Sequence, residues 1–310
     1  MAFNKILKSP EARWILEGKY KGKRQFLFWY DMIRLATGYP YAYILGNTPF
    51  LSASIDLSYK PFIPREETAF WVTLALKKIN EKNKTGCVSY PRGKANKVLG
   101  TQHHGRFFGM SVAHRPHRTQ RVFSSSRQSQ RGIQTPRSNK NSHLSILDIF
   151  SGSGAIGIAV AKELPHASVY FIEKNPRFVK QIQKNILLNS VQRNTTVIPF
   201  HKNLVNKGGP YHYVFANPPY LSKKMRNSIQ KSVFRWEPHQ ALFATENGLF
   251  YIQTLIEGLP TLLFPGGTLF LEHDPWQKAF ILQKCAEKDL FAETFLDQYK
   301  NSRMMAISRR

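Results

Sequence analysis

The residues with the clearest chemical potential are Asn217-Pro218-Pro219-Tyr220, directly after the run Tyr211-His212-Tyr213-Val214-Phe215-Ala216. Aromatic and β-branched content makes that run a strand, and two consecutive prolines must end it. A polar Asn side chain is thereby held at the carboxyl end of a strand, beside a Pro218 carbonyl that has no ladder partner. The Asn217 side-chain oxygen and the Pro218 carbonyl can accept both hydrogens of a planar –NH2. The ring of Tyr220 can pack on the flat group that carries the amine. This is a device for presenting an amide or exocyclic amino nitrogen to an electrophile. Asn-Pro alone also marks plain turns, so the upstream pattern must decide between the two readings.

That pattern is Asp148-Ile149-Phe150-Ser151-Gly152-Ser153-Gly154, which joins an apolar run to a helical one. Gly152 and Gly154 let backbone approach a ligand at a helix N-terminus. It is half of a dinucleotide fingerprint, because Phe150 stands where a first glycine would be. No Lys-Ser or Lys-Thr follows to grip phosphates, so a nucleoside fits better than a nucleotide. About twenty residues on, Val169-Tyr170-Phe171-Ile172 ends in Glu173, whose carboxylate can take both hydroxyls of a ribose.

The elements that must position these groups alternate between strand and helix from Ser145 onward. Strands are expected at 145–150, 168–173, 196–200, 211–216, 267–272, 290–296 and 303–308, and helices near 154–164, 175–190, 246–263 and 275–288. The fold class is therefore α/β, a doubly wound, Rossmann-like sheet of seven strands ending in an antiparallel hairpin. Upstream, residues 1–36 read as one or two helices too short for a core of their own, hence a cap on the rest of the chain. Gly38 to Gly46 reads as a turn leading into short strands, and Phe50 to Leu57 as a hairpin arm. Ile63-Pro64-Arg65-Glu66-Glu67-Thr68 opens a helix, with proline ahead and carboxylates in its first turn.

Residues 85–143 are of another kind. They hold eleven Lys or Arg, five of the ten histidines and no acid. Sparse apolar content with charge of one sign predicts a disordered insertion in a surface loop, or else a nucleic-acid-binding arm. His103, His104, His114 and His117 have no acid or cysteine partner at ligand spacing, so no metal site is expected. The net charge of +26 hints at an acidic partner such as RNA or a ribosome-bound factor, although much of it sits in this stretch. Two cysteines, the lack of an apolar leader and the lack of a membrane-length run predict a cytoplasmic protein.

Taken in order, these residues resemble the class I S-adenosylmethionine-dependent methyltransferases, and within them the HemK/PrmC-type release factor glutamine methyltransferases. The resemblance covers residues 34–84 and 144–310. It rests on Arg34-x-x-x-Gly38-x-Pro40 with Tyr43-Ile44-Leu45-Gly46, on Ile63-Pro64-Arg65-x-Glu67-Thr68, and on Asn217-Pro218-Pro219-Tyr220. Further landmarks are Trp236-Glu237-Pro238, Ala241-Leu242 and Asn247-Gly248-Leu249. Departures are Phe150 for glycine, Glu66 for proline, Lys202-Asn203-Leu204 for Gly-Asp-Leu, Asn247 for Asp, and a shortened N-terminal helical region.

The resemblance implies S-adenosylmethionine as cofactor, held by Asp148, Ser151, Gly152, Gly154, Glu173, Asn203 and Asn217. It implies a glutamine amide as acceptor, in the Gly-Gly-Gln motif of a peptide chain release factor, met by Asn217, Pro218, Pro219, Tyr220 and Glu237. Asn217, Pro218 and Tyr220 would carry the catalysis. Alternatives are a ribosomal-protein glutamine or a base in RNA or DNA as acceptor, or an RNA- or ribosome-binding protein on a degenerate methyltransferase fold. The expected organisation is a helical cap (1–36), a hairpin linker with the Ile-Pro-Arg helix (37–84), the basic insertion (85–143) and a methyltransferase domain (144–310).

Overall fold

In a computed structural model, the structure describes residues 2–84, 144–200 and 209–309. The disordered insertion expected at 85–143 and Asn203, expected to help hold the cofactor, lie outside the described residues.

The N-terminal region forms three helices, α1 (Ala2–Leu7), α2 (Pro10–Tyr20) and α3 (Phe26–Ala36), where one or two were expected. Ser9 and Pro10 start α2, the Ser9 hydroxyl accepting the Ala12 N–H, and Lys21 in the left-handed region stops it. Asp31 staples α2 to α3 by accepting from Lys19, Tyr20 and Arg34 at 2.7, 2.7 and 3.0 Å. The stretch read as a turn holds a short helix, α4 (Tyr41–Leu45). Pro40 presets its entry, and Gly46 at φ +82° ends it. The arm expected from Phe50 to Leu57 is divided by a tight turn into strands β1 (Asn47–Phe50) and β2 (Ala53–Asp56). Asn185, Asn189 and Gln181 clip this hairpin to the helix that carries them through bonds to the backbone of Ser54, Asp56 and Tyr59. Helix α5 (Glu66–Lys84) begins on Glu66, so the residue that departs from proline sits at the first helical position, where a carboxylate also suits the dipole.

From Ser145 the alternation holds: β3 (Ser145–Ile149), α6 (Ala155–Glu163), β4 (Ser168–Ile172), α7 (Pro176–Leu188), β5 (Thr195–Ile198), β6 (Tyr211–Ala216), α8 (Lys231–Trp236), α9 (Phe250–Leu262), β7 (Leu263–Glu272), α10 (Lys278–Glu287), β8 (Leu290–Leu296) and β9 (Ser302–Arg309). The seven long-range strands pair in the order β5-β4-β3-β6-β7-β9-β8, with only β9 running against the rest. One apolar layer packs α5, α6, α7 and the N-terminal helices on one face, and a second packs α9 and α10 on the other. The order reverses between β3 and β6, so a crevice opens at the carboxyl ends of those strands.

Candidate active site

The register places the chemistry on one line. Ile149 pairs with both Ile172 and Ala216, and Ala216 pairs with Leu271. The residues next in the chain after these four are Phe150, Glu173, Asn217 and Glu272, on four adjacent strands. All four line a cavity of about 1300 Å³ that opens at the switch point.

On the glycine-loop side, Phe150 has φ +62° and Gly152 φ +55°. The phenylalanine at the glycine position thus keeps a glycine-like backbone, at a cost of about 1–2 kcal/mol. Its ring lies edge-on to Tyr251, 5.1 Å between centroids. The Glu173 carboxylate accepts the Gly152 N–H at 2.8 Å and the Asn175 N–H at 2.7 Å. It locks the loop to the end of β4, while lone pairs on both oxygens stay available to ligand hydroxyls. Burial raises its pKa, against the pull of those backbone donors.

On the Asn217 side, Glu272 ends β7 and gathers three donors: the Thr68 hydroxyl at 2.7 Å, the Trp71 indole N–H at 2.6 Å and the Tyr220 hydroxyl at 3.1 Å. Asn217 Nδ2 donates to Thr68 Oγ1 at 3.5 Å. Burial raises the pKa of Glu272 and holds that of Tyr220 well above its usual value. Gln277 Nε2 donates to the carbonyls of Tyr220 and Gly248. Gly248 is required at this contact, because a Cβ there would lie 2.2 Å from the Tyr220 carbonyl oxygen.

The other expected site residues divide by position. Ser151, Gly152, Glu173, Asn217, Pro219 and Tyr220 line the cavity, whereas Asp148, Gly154, Pro218 and Glu237 do not. Asp148 is buried inside β3, where Oδ2 accepts the Gly157 N–H at 2.9 Å, and burial lifts its pKa to about 7. Gly154 caps α6 at φ +80° and faces Ile158 and Ile182. Glu237 sits behind the wall and accepts from the Ile63 N–H and the Arg65 guanidinium, so it fixes the Ile-Pro-Arg segment while Arg65 meets the cavity. Sequence reasoning missed Glu272 as a site residue and read Thr68 as part of a helix start and of the Ile-Pro-Arg motif, with no role in the site. The available signal for Glu272 was the one that found Glu173, a lone carboxylate directly after an apolar parallel strand.

A seven-stranded sheet of this order, with a glycine loop after its first strand and a carboxylate after its second, is a doubly wound, Rossmann-like α/β fold. Solved structures of similar shape include a ribosomal protein L11 methylase from Lactobacillus delbrueckii subsp. bulgaricus (20% identical, 54% of this chain and 70% of that one, TM-score 0.39). Another is a precorrin-6y C5,15-methyltransferase from Geobacter metallireducens GS-15 (13% identical, 54% and 81%, TM-score 0.38). Curated relatives of this chain include several release factor glutamine methyltransferases. The protein from Flavobacterium psychrophilum is 33% identical over 174 residues, 54% of this chain and 59% of that relative. Those from Pasteurella multocida (29%) and Buchnera aphidicola subsp. Schizaphis graminum (26%) match over 88% and 87% of this chain, and over 76% of their own lengths. The family described as "Conserved hypothetical protein 95" matches residues 133–261.

Proposed function

We propose that this chain transfers the methyl group of S-adenosylmethionine to the side-chain nitrogen of a glutamine, in the Gly-Gly-Gln motif of a peptide chain release factor. The observation that carries the reading is the alignment of Glu173, Phe150 and Asn217 on three neighbouring strand ends around one cavity. The names of the relatives support the choice of glutamine and of release factor.

The residues present suit the cofactor. Glu173 has lone pairs for two ribose hydroxyls, Gly152 exposes backbone to the cavity, and Phe150, Phe178 and Phe200 offer apolar surface. When bound, S-adenosylmethionine supplies a methyl group already activated by its sulfonium charge. An amide nitrogen is a poor nucleophile, since its lone pair is shared with the carbonyl, so the chain's contribution is alignment. Asn217 accepts a hydrogen of the acceptor –NH2 and turns its nitrogen toward the donor side. Orientation of this kind contributes several kcal/mol, on the order of the effective-molarity advantage of well-oriented groups. An acceptor at that nitrogen also favours the positive charge that grows there during transfer.

A second acceptor class is favoured by one observation. Lys223, Lys224, Arg226, Lys231 and Arg235 are carried on the segment whose Leu221, Gln230 and Val233 line the cavity. A cationic rim of this kind suits a polyanion, as a base amine in RNA would require. Both readings meet in one experiment, transfer of tritiated methyl to purified release factor, ribosomes, RNA and DNA side by side. Label in the release factor, lost when its Gly-Gly-Gln glutamine is replaced, supports the first reading. Label only in nucleic acid or ribosomes rejects it.

A further inference from the structure

The bonds around Glu272 have a direction, and that direction reaches Asn217. The Trp71 indole nitrogen can only donate, and it donates to Glu272 Oε2. Oε2 accepts two hydrogens, from Trp71 and from Thr68, as the unprotonated oxygen of a carboxyl group does. The Thr68 hydroxyl donates its single hydrogen to the same oxygen at 2.7 Å. Thr68 Oγ1 is then left with lone pairs only, so whatever approaches it must donate. Asn217 approaches it with Nδ2, at 3.5 Å. An asparagine amide can be turned either way round, and its orientation is set by the network that surrounds it.

Resting on the glutamine-amide reading of the cavity, we propose that Glu272 is a positioning residue that sets the flip of Asn217 through Thr68. It presents the Asn217 side-chain oxygen, and not its –NH2, to the methyl acceptor. The consequence is chemical. An acceptor amide whose N–H is held by an oxygen has its plane fixed, which leaves one face of the nitrogen, where the lone-pair density lies, open to the donor. The opposite flip would put –NH2 against –NH2. Helix α5 is thus tied into the site from behind: the residue after Glu67 in the Ile-Pro-Arg segment gives the clamp its polarity. Tyr220 reports to the same carboxylate by donating to Oε1, so both side chains of the Asn217–Tyr220 loop share one buried reference point, itself only 4% exposed.

The test uses Thr68→Val, which keeps shape and removes the acceptor, with Thr68→Ser as the conservative rescue. Thr68→Val should lower kcat by tenfold or more while the S-adenosylmethionine Kd, read by calorimetry, stays within twofold. Thr68→Ser should stay within threefold of wild type. Glu272→Gln keeps an oxygen for Thr68 and Trp71 and should keep most of the turnover, whereas Glu272→Met keeps volume alone and should match Thr68→Val. A readout without any acceptor runs in parallel, the Asn217 side-chain –NH2 resonances of 15N-asparagine-labelled protein, assigned with Asn217→Ala. Those resonances should move in Thr68→Val and Glu272→Met and hold in Glu272→Gln. Wild-type kinetics in Thr68→Val, or unmoved Asn217 resonances in folded Thr68→Val or Glu272→Met, would overturn the proposal. A wild type that labels no glutamine would instead reject the substrate reading, and the resonances would still decide the polarity. If Thr68→Val and Glu272→Met do not fold, Glu272→Gln decides: displaced Asn217 resonances or a tenfold loss there count against it.

Discussion

On the proposed reading, Asn217 and Glu173 do separable jobs in one cavity, and single substitutions should separate them. On that reading Asn217→Ala removes only the group that orients the acceptor nitrogen. Turnover should fall by on the order of a hundredfold with cofactor affinity nearly unchanged, as expected when an interaction with the reacting group is lost. Loss of cofactor binding with turnover intact would mean that Asn217 belongs to the other half of the site. Glu173→Ala should weaken S-adenosylmethionine binding by roughly 2 kcal/mol, the scale of hydrogen bonds to a charged acceptor. Because Glu173 also accepts from Gly152 and Asn175, the melting temperature of the ligand-free protein should fall as well. Unchanged affinity in calorimetry would leave Glu173 with the loop-locking role alone.

The element scale explains which features were readable in the sequence and which were not. Strand ends were legible because prolines at 218 and 219 and glycines at 152 and 154 punctuate apolar runs, and the start of α5 because Pro64 announces it. Side-chain direction was not. Asp148 precedes the glycine loop and reads as a ligand, yet its carboxylate turns toward the Gly157 N–H at the start of α6. Thr68 reads as first-turn punctuation, yet α5 packs so that Thr68 and Trp71 point at β7, a contact 204 residues away in sequence for the pair Thr68–Glu272. Only the register of β6 against β7 brings Glu272 level with Asn217.

The Ile-Pro-Arg segment gives a test at this scale. Glu237 is buried, and burial raises its pKa above 4.5 against the lowering effect of Arg65. A raised folded pKa means the stability linked to Glu237 is full below its unfolded pKa and lost as pH rises through the folded value. Arg65→Met removes the opposing charge and raises that folded value further. The variant should be destabilised by about 3 kcal/mol at pH 8, the scale for breaking a buried pair, and by much less at pH 4. Urea titrations across that range read the difference, and a cost that is flat with pH would show that Glu237 does not ionise behind the wall.

For the whole molecule, the question is whether the fold needs residues 85–143. The described residues on either side of that stretch share one core. Trp71 and Ile79 from α5 lie in the same apolar layer as Ile146, Phe215 and Phe270 from the sheet, and the Trp71 and Phe215 rings stack with centroids 6.1 Å apart. Lys78 on α5 pairs with Glu293 on β8 at 2.5 Å. The cap, the linker and the sheet are thus joined through side chains on both flanks. Connection length enters stability only logarithmically, about 0.6 kcal/mol per doubling. We therefore propose that residues 86–142 are an insertion, and that replacing them with a short Gly-Ser linker preserves both the melting temperature within a few degrees and methyl transfer to isolated release factor. The stretch carries eleven of the 45 basic residues and no acid, so its removal still leaves the rest of the chain at +15. If the stretch is a nucleic-acid arm, the same deletion should leave transfer to free release factor alone and abolish a steeply salt-dependent affinity for RNA, whose slope counts the phosphates it neutralises. Thermal melts, transfer assays and RNA titrations at two salt concentrations on both proteins separate these outcomes. A linker variant that fails to fold would show that part of 86–142 belongs to the core, and the insertion boundary would have to be redrawn.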